Sequence, residues 1–229
     1  MKLICLQSGH EGVTTGATGA PGEQELNVRI RNRLSDILIA KGFQVQLVNA
    51  NPTNAEINKD FDLFLALHGD ANIYGTGGGF VDHPEPSTDG ATVESQRIDK
   101  EIEAEYFDHS GIVNHPERSN ANTKYYYMWQ RLSAKTPCVI MEMGVVQDAH
   151  DKVILADTER VASSIARGIC RAFSVAYDPV IPIPPPVDWK KKYEDEVAAH
   201  NVTKNKLAIS QAQVAEANKK IVTAQAALA

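Results

Sequence analysis

The sequence is short of several things, and each shortage excludes a class. No apolar run approaches the roughly 18–20 residues that a membrane-spanning helix requires, so no membrane span is expected. Residues 1–7 lack the basic start and long apolar middle of a secretory signal, which predicts synthesis in the cytosol without export by the general secretory route. Cysteines are few and odd in number: Cys5, Cys138 and Cys170 lie in apolar stretches and read as reduced core thiols, not as a disulfide framework. Positive charge is also scarce. With 23 Lys and Arg against 29 Asp and Glu the net charge is -6, which argues against a nucleic-acid partner held by bulk charge. Glycine and proline are missing altogether from residues 188–229, where Ala, Lys, Gln and Glu predominate. That composition predicts one long helix.

What is present has the rhythm of an α/β protein, and 229 residues suffice for one sizeable domain plus something small. Leu3-Ile4-Cys5-Leu6-Gln7 reads as a strand feeding the glycine-rich loop Ser8-Gly9-His10-Glu11-Gly12. Leu26, Ile30, Leu34, Ile37 and Leu38 then keep helical spacing, with Gly42 at the position of a C-terminal cap. Residues 43–48 alternate at period two, and 61–67 form a continuous apolar run ending at His68, as a central parallel strand does. Gly79-Phe80-Val81 is a short strand among loops. Val93, Ile98 and Ile102 carry a helix from about 92 to 106. A polar surface loop over 109–122 precedes the aromatic cluster Tyr125-Tyr126-Tyr127-Met128-Trp129, and 137–141 is another buried strand, closed by Glu142. A last helix runs from about 157 to 173 on Val161, Ile165, Ile169 and Phe173. The expectation is a three-layer α/β/α domain with a mostly parallel sheet over 1–177. A proline-rich linker follows over 178–187, with five prolines, and then the long helix over 188–229. In that helix only one heptad stripe, Tyr193, His200, Leu207, Val214, Ile221 and Leu228, is kept, which predicts at most a weak coiled coil and weak homo-oligomer.

In an open parallel sheet, ligands bind beyond the carboxyl ends of the strands. His10 follows the first strand, Glu23 opens the next helix, and His68 and Glu142 end later strands, so all four arrive at one edge. Two imidazoles and a carboxylate are a donor set for zinc that leaves a position open, where a water would be acidified to a pKa of about 7. A further carboxylate can take that water's proton and pass it to a leaving amine. This is the group set for amide hydrolysis.

These residues stand in recognisable company. His10 with Gly16-Ala17-Thr18-Gly19, Glu23 with Leu26-Asn27, Leu65-Ala66-Leu67-His68-Gly69-Asp70-Ala71, then Val139-Ile140-Met141-Glu142-Met143-Gly144 and Asp151, closely resemble the zinc-dependent N-acetylmuramoyl-L-alanine amidases of cell-separation enzymes and phage endolysins. The resemblance covers about residues 1–175. It implies one Zn²⁺ per chain on His10, Glu23 and His68, Glu142 as catalytic acid/base, and peptidoglycan as substrate. With no export signal expected, a bacteriolytic phage lysin or virion-associated hydrolase acting on the wall after release fits better than a host cell-separation enzyme. Departures from the family pattern are Glu11 where a glycine is common, Asp70 for Asn and Val145 for Phe. Glu25 competes with Glu23 as the ligand, and Glu23 is preferred because it stands four before Asn27.

Asp70 and His115 are the weaker candidates for substrate contact. His83, His109, His150 and His200 read as loop or surface residues, and Gly75-Thr76-Gly77-Gly78-Gly79 as a flexible cleft rim. The rival readings are a zinc carboxypeptidase or other amidohydrolase, with Arg97, Arg118 or Arg131 clamping a substrate carboxylate, and a non-catalytic wall-binding or assembly module.

Overall fold

A computed structural model describes residues 1–14, 19–71, 75–84, 90–119 and 126–177. The linker and long helix expected over 178–229 lie outside the described residues, and so does His200. The elements in order are β1 (Leu3–Ser8), α1 (Glu23–Ala40), β2 (Gln44–Val48), α2 (Asn54–Ile57), β3 (Leu63–Asp70), β4 (Phe80–Asp82), α3 (Gly90–Ser110), β5 (Cys138–Val145), α4 (Ala149–Ala156) and α5 (Thr158–Ala172). Two 3-10 turns, Pro116–Arg118 and Tyr127–Gln130, lie between α3 and β5. The sheet order is β2-β1-β3-β5-β4, and β4 alone runs antiparallel. The expected α/β class with a mostly parallel sheet is the one observed.

Period two along the strands sorts their side chains onto two unlike faces. Ile4 and Leu6, Leu63, Leu65 and Leu67, and Val139, Met141 and Met143 pack with α1, α3, α4 and α5 in the larger core. Cys5, Phe64, Ala66, Cys138 and Ile140 face the other way, into a small cluster closed by Val48, Ile57, Phe61 and Met128. Among the described residues, that second layer is a four-residue helix and a 3-10 turn. The three thiols are buried and unbridged. Among the described residues no helix is long and apolar enough to cross a membrane.

Local chemistry sets the boundaries. Gly42 takes φ 88 just after α1, the left-handed turn that only glycine adopts without penalty. Several expectations need correction. Val93 is 73% exposed, because Ile98, Ile102 and Tyr106 form the buried stripe of α3 and Val93 falls off it. That helix also runs to Ser110, taking the start of the predicted loop. The helix α4, capped by Asp148, which accepts the amides of His150 and Asp151, has no counterpart in the sequence reading. The strands β3 and β5 run past His68 and Glu142, to Asp70 and Val145.

Candidate metal centre

The site forms where β1, β3 and β5 end and α1 begins. His68 and Glu142 are opposite each other in register, and a bulge follows at once: Asp70 pairs with Val145, leaving an extra residue on β5 beside Gly144. Bulges beside sites re-aim the side chains next to them. By the alternation along the strands, Gln7, His68 and Glu142 all project on the thinly covered face.

His10 follows Gly9, whose amide donates to Leu67 O at 2.8 Å and so extends the β1–β3 ladder by one bond. His10 itself has φ 59, a left-handed conformation for a residue with a Cβ. It turns its ring toward the first turn of α1. There Glu23, 2% exposed, lies between two imidazoles: Oε1 is 3.3 Å from His10 Nε2 and 3.5 Å from His68 Nδ1. The two rings stand 5.0 Å apart at 84°. Asn27 Nδ2 donates to Glu23 Oε1 at 3.3 Å and to Gly9 O at 3.0 Å, while the Ala20 amide donates to Glu23 Oε2 at 2.7 Å. Glu25, the competitor, is exposed. A Cβ on Gly9 would run into the His68 ring, and one on Gly19 into Glu23 and His10, so the backbone is packed against the cluster.

The donor atoms of His10, Glu23 and His68 lie within 4.8 Å of one another, as a shared metal ion needs. Both carboxylate–imidazole distances exceed the roughly 2.7–2.9 Å of a charge-assisted hydrogen bond, and His68 Nε2 is buried without a partner. Two imidazoles and a carboxylate converging without satisfying one another fit zinc. The electrostatics point the same way. Burial lowers the His68 pKa against the pull of Glu23, which favours the neutral imidazole that a metal needs. Burial pushes Glu23 up, but the His68 ring facing it, the Ala20 amide and the charge of His10 together hold it below the usual carboxylate range.

Glu142 sits beside this cluster with Oε2 buried and unpartnered. Burial raises its pKa well above that of an ordinary carboxyl, and the neighbouring Asp70 and Glu23 add to the effect. Asp70 is pushed up to about 6, chiefly by burial, with the Ala71 amide and Arg118 pulling the other way.

The rim over residues 76–79 is tied by hydrogen bonds. Arg118 Nη2 donates to Thr76 Oγ1 at 2.8 Å and Gly77 O at 3.1 Å, Asp151 Oδ2 accepts the Gly78 amide at 2.5 Å, and Gly79 pairs with Asn114. His115 packs on Gly78 and bonds Glu117 at 2.7 Å through Nδ1, which puts it on this rim. The three arginines considered as clamps hold protein groups: Arg97 bonds Glu94 and Ala172 O, Arg118 bonds the rim, and Arg131 bonds Pro52 O. Asp148, His150 and Asp151 also cluster, but Asp148 caps α4 and Asp151 Oδ2 takes the amides of Gly78 and Val145. His83 is no plain loop residue, since its ring pairs with the buried Asp99. On the other side Tyr126 meets His68 edge-on at 6.0 Å and donates its hydroxyl to Gln7 Oε1.

An α/β sheet that gathers a His, Glu, His donor set and a buried carboxyl at its carboxyl edge has the form of a metal-dependent hydrolase. The family model described as N-acetylmuramoyl-L-alanine amidase matches residues 4–172, and the chain belongs to that family. It is an enzyme of peptidoglycan amide hydrolysis. No curated protein matches the chain. Among solved structures, the catalytic domain of CwlV, the amidase of Bacillus (Paenibacillus) polymyxa var. colistinus, has a TM-score of 0.60 at 19% identity, over 77% of this chain and 100% of that one. The amidase AmiC2 of Nostoc punctiforme has 0.59 at 19%, over 76% and 97%. The catalytic domain of an endolysin targeting Clostridia difficile has 0.56 at 19%, over 75% and 98%. At such identity these likenesses speak for the fold.

Proposed function

We propose that this chain cleaves the amide between the lactyl group of N-acetylmuramic acid and the L-alanine of the stem peptide, using one zinc ion held by His10, Glu23 and His68. The observation that carries this reading is the convergence of those three donors within 4.8 Å, beside a carboxyl, Glu142, whose Oε2 is buried and unpartnered. Zinc, when bound, supplies the Lewis acidity that makes water a nucleophile near neutral pH. The neutral His68 offers a lone pair without first losing a proton, and Glu23, kept ionised by its amide and imidazole partners, supplies the negative charge. Glu142 is the proton carrier: its oxygens take a proton from the attacking water and return it to the leaving alanine nitrogen. A carboxyl pulled up from its ordinary pKa is suited to hold that proton between the two steps. The tied rim of residues 76–79 with His115 and Arg118, and Tyr126 on the other side, flank the donor set at which the substrate amide would lie.

Mass spectrometry of the products from purified peptidoglycan tests the reading. Free stem peptides beginning with L-alanine, and glycan with intact lactyl groups, are expected. Release of a C-terminal amino acid instead would make the chain a carboxypeptidase. Zinc content should be one per chain, and His68→Ala should lose it.

A further inference from the structure

The buried face of α1 carries polar side chains at a helical interval of four: Glu23, Asn27 and Arg31, with exposures of 2%, 0% and 6%. A face packed on an apolar sheet retains such groups only where each finds a partner. Glu23 and the Asn27 amide nitrogen have theirs at the metal cluster. Arg31, two turns further on, reaches the same loop from its far end.

Its Nη1 donates to Ser8 Oγ at 3.0 Å, to Val48 O at 3.0 Å and to the carboxylate of Glu11, while Nε and Nη2 bond Asn32 Oδ1 at 3.2 and 3.0 Å. Ser8 Oγ in turn donates to Glu11 Oε2 at 2.5 Å. Glu11 is the residue after His10, and it is where the family pattern commonly has glycine. A non-glycine residue keeps a left-handed conformation such as the φ of 59 at His10 only where its surroundings over-determine it. Here both flanks are fixed. Gly9 is held by Leu67 O and Asn27, Glu11 by Arg31 and Ser8, and the Val13 amide closes the turn on His10 O at 3.0 Å.

We propose that Glu11 and Arg31 are positioning residues for His10, so that both the His10 and the Glu23 donors are set by one rigid helix. The inference rests on the metal-binding reading above. Arg31 ties the ends of β1 and β2 through Ser8 and Val48 whether or not Glu11 is ionised. The Glu11 contact is the one that reaches the histidine loop.

The test uses the full chain with E11A, E11Q, R31M and the double variant E11A/R31M. Three quantities are measured: zinc dissociation constant by chelator competition, melting temperature without metal, and amide exchange at Val13 in the metal-free protein. Zinc binding and hydrolysis by the unaltered chain test the earlier reading separately. Removing Glu11 leaves the buried Arg31 without its counter-charge, and removing Arg31 leaves the part-exposed Glu11 without its donor, so the single variants should melt lower, the Glu11 ones more so, whereas removing both should restore much of the loss. Positioning predicts that the double variant still binds zinc about 10–100-fold more weakly, the range for groups that orient metal ligands, and exchanges Val13 faster. Its kcat at saturating zinc should return toward that of the unaltered chain. E11Q, which keeps an acceptor for Arg31, should lie between. A double variant with unaltered zinc affinity and Val13 protection would reduce the pair to ordinary structure and overturn the proposal. Should a single variant fail to fold, the double variant and E11Q decide the matter.

Discussion

The two ends of the same three strands are built to opposite specifications. Where β1, β3 and β5 begin, polar groups are matched, the buried Thr136 and Ser95 as well as the part-exposed Asp62. Asp62 takes Lys2 Nζ and the Leu3 amide, both at 2.8 Å, Thr136 Oγ1 takes the Phe61 amide at 3.1 Å, and Ser95 Oγ takes the Cys138 amide at 2.8 Å. Where the strands end, His68 Nε2, Asp70 Oδ2 and Glu142 Oε2, and Asn27 Oδ1 at the start of α1, are buried with no partner. An unmatched buried polar group typically costs about 1–3 kcal/mol. Four such atoms gathered at one edge leave hydrogen-bonding and ligating capacity there that the protein itself does not use. The unmatched atoms lie at the edge that carries the His10, Glu23 and His68 donors, and the two edges can be attacked separately.

The largest effect should come from Glu142→Gln. The amide fills the space but cannot carry the proton, so turnover should fall about 10²–10⁴-fold. Zinc content and the melting temperature of the metal-free protein should not fall, since no stabilising ion pair is removed. A large loss of stability would mean that the carboxyl edge supports the fold after all. Next is Gly9→Ala, whose new methyl collides with the His68 ring. Zinc affinity should drop by about 10–100-fold, as for other disturbances of ligand orientation, and isothermal titration reads it directly. Unchanged affinity would show that the ring has room to move.

The amino edge should answer in the other currency. Thr136, 2% exposed, gives the buried Phe61 amide its acceptor, and Thr136→Val keeps the shape while removing it. A loss of about 1–3 kcal/mol in urea unfolding is expected, with kcat/KM unaltered. If activity fell in step with stability, the separation of the two edges would be wrong.

These edges were unequally legible in the sequence. The carboxyl edge could be read because strand ends are marked by where apolar runs stop, and His10, His68 and Glu142 stand at such stops. Glu23 could be preferred to Glu25 only through its spacing from Asn27. The structure adds that Glu23 faces the histidines and Glu25 faces outward. Arg31 was invisible. On a helical wheel it reads as one more charged residue of an amphipathic helix, and its partners Ser8, Glu11 and Val48 are set by the register of β1 and β2, which periodicity does not reveal. The role of Asp151 in tying Gly78 to Val145 is hidden for the same reason. The short helix α4 escaped because its buried residues Ile154 and Leu155 lie too close to α5 to form a period of their own. Local pattern pointed to residues that the fold brings together; the long-range polar partners that hold them required the fold.

The smallest effect lies at Asp62 and is a matter of pH. Burial pushes this carboxyl up, but the hydrogen bond and charge of Lys2, the Leu3 amide and the amino terminus outweigh it and hold the pKa below the usual aspartate value. A depressed carboxyl stabilises the fold when ionised. That contribution is therefore present above the unfolded pKa of about 3.9 and is lost as the pH falls through the lower folded value. Lys2 is half exposed and Asp62 a third exposed, so solvent screens the pair and the contribution should stay below about 1 kcal/mol. Asp62→Asn keeps an acceptor for the Leu3 amide and removes the charge. Its melting temperature should lie slightly under that of the unaltered chain from pH 5 to 7, and the gap should close between about pH 4 and pH 2 and shrink in high salt. Hydrolysis should be unaffected throughout, because the substitution is at the edge away from the metal cluster. A gap that persisted at pH 2 would assign the loss to packing instead of charge, and a change in kcat would couple the two edges that the hydrogen bonds keep apart.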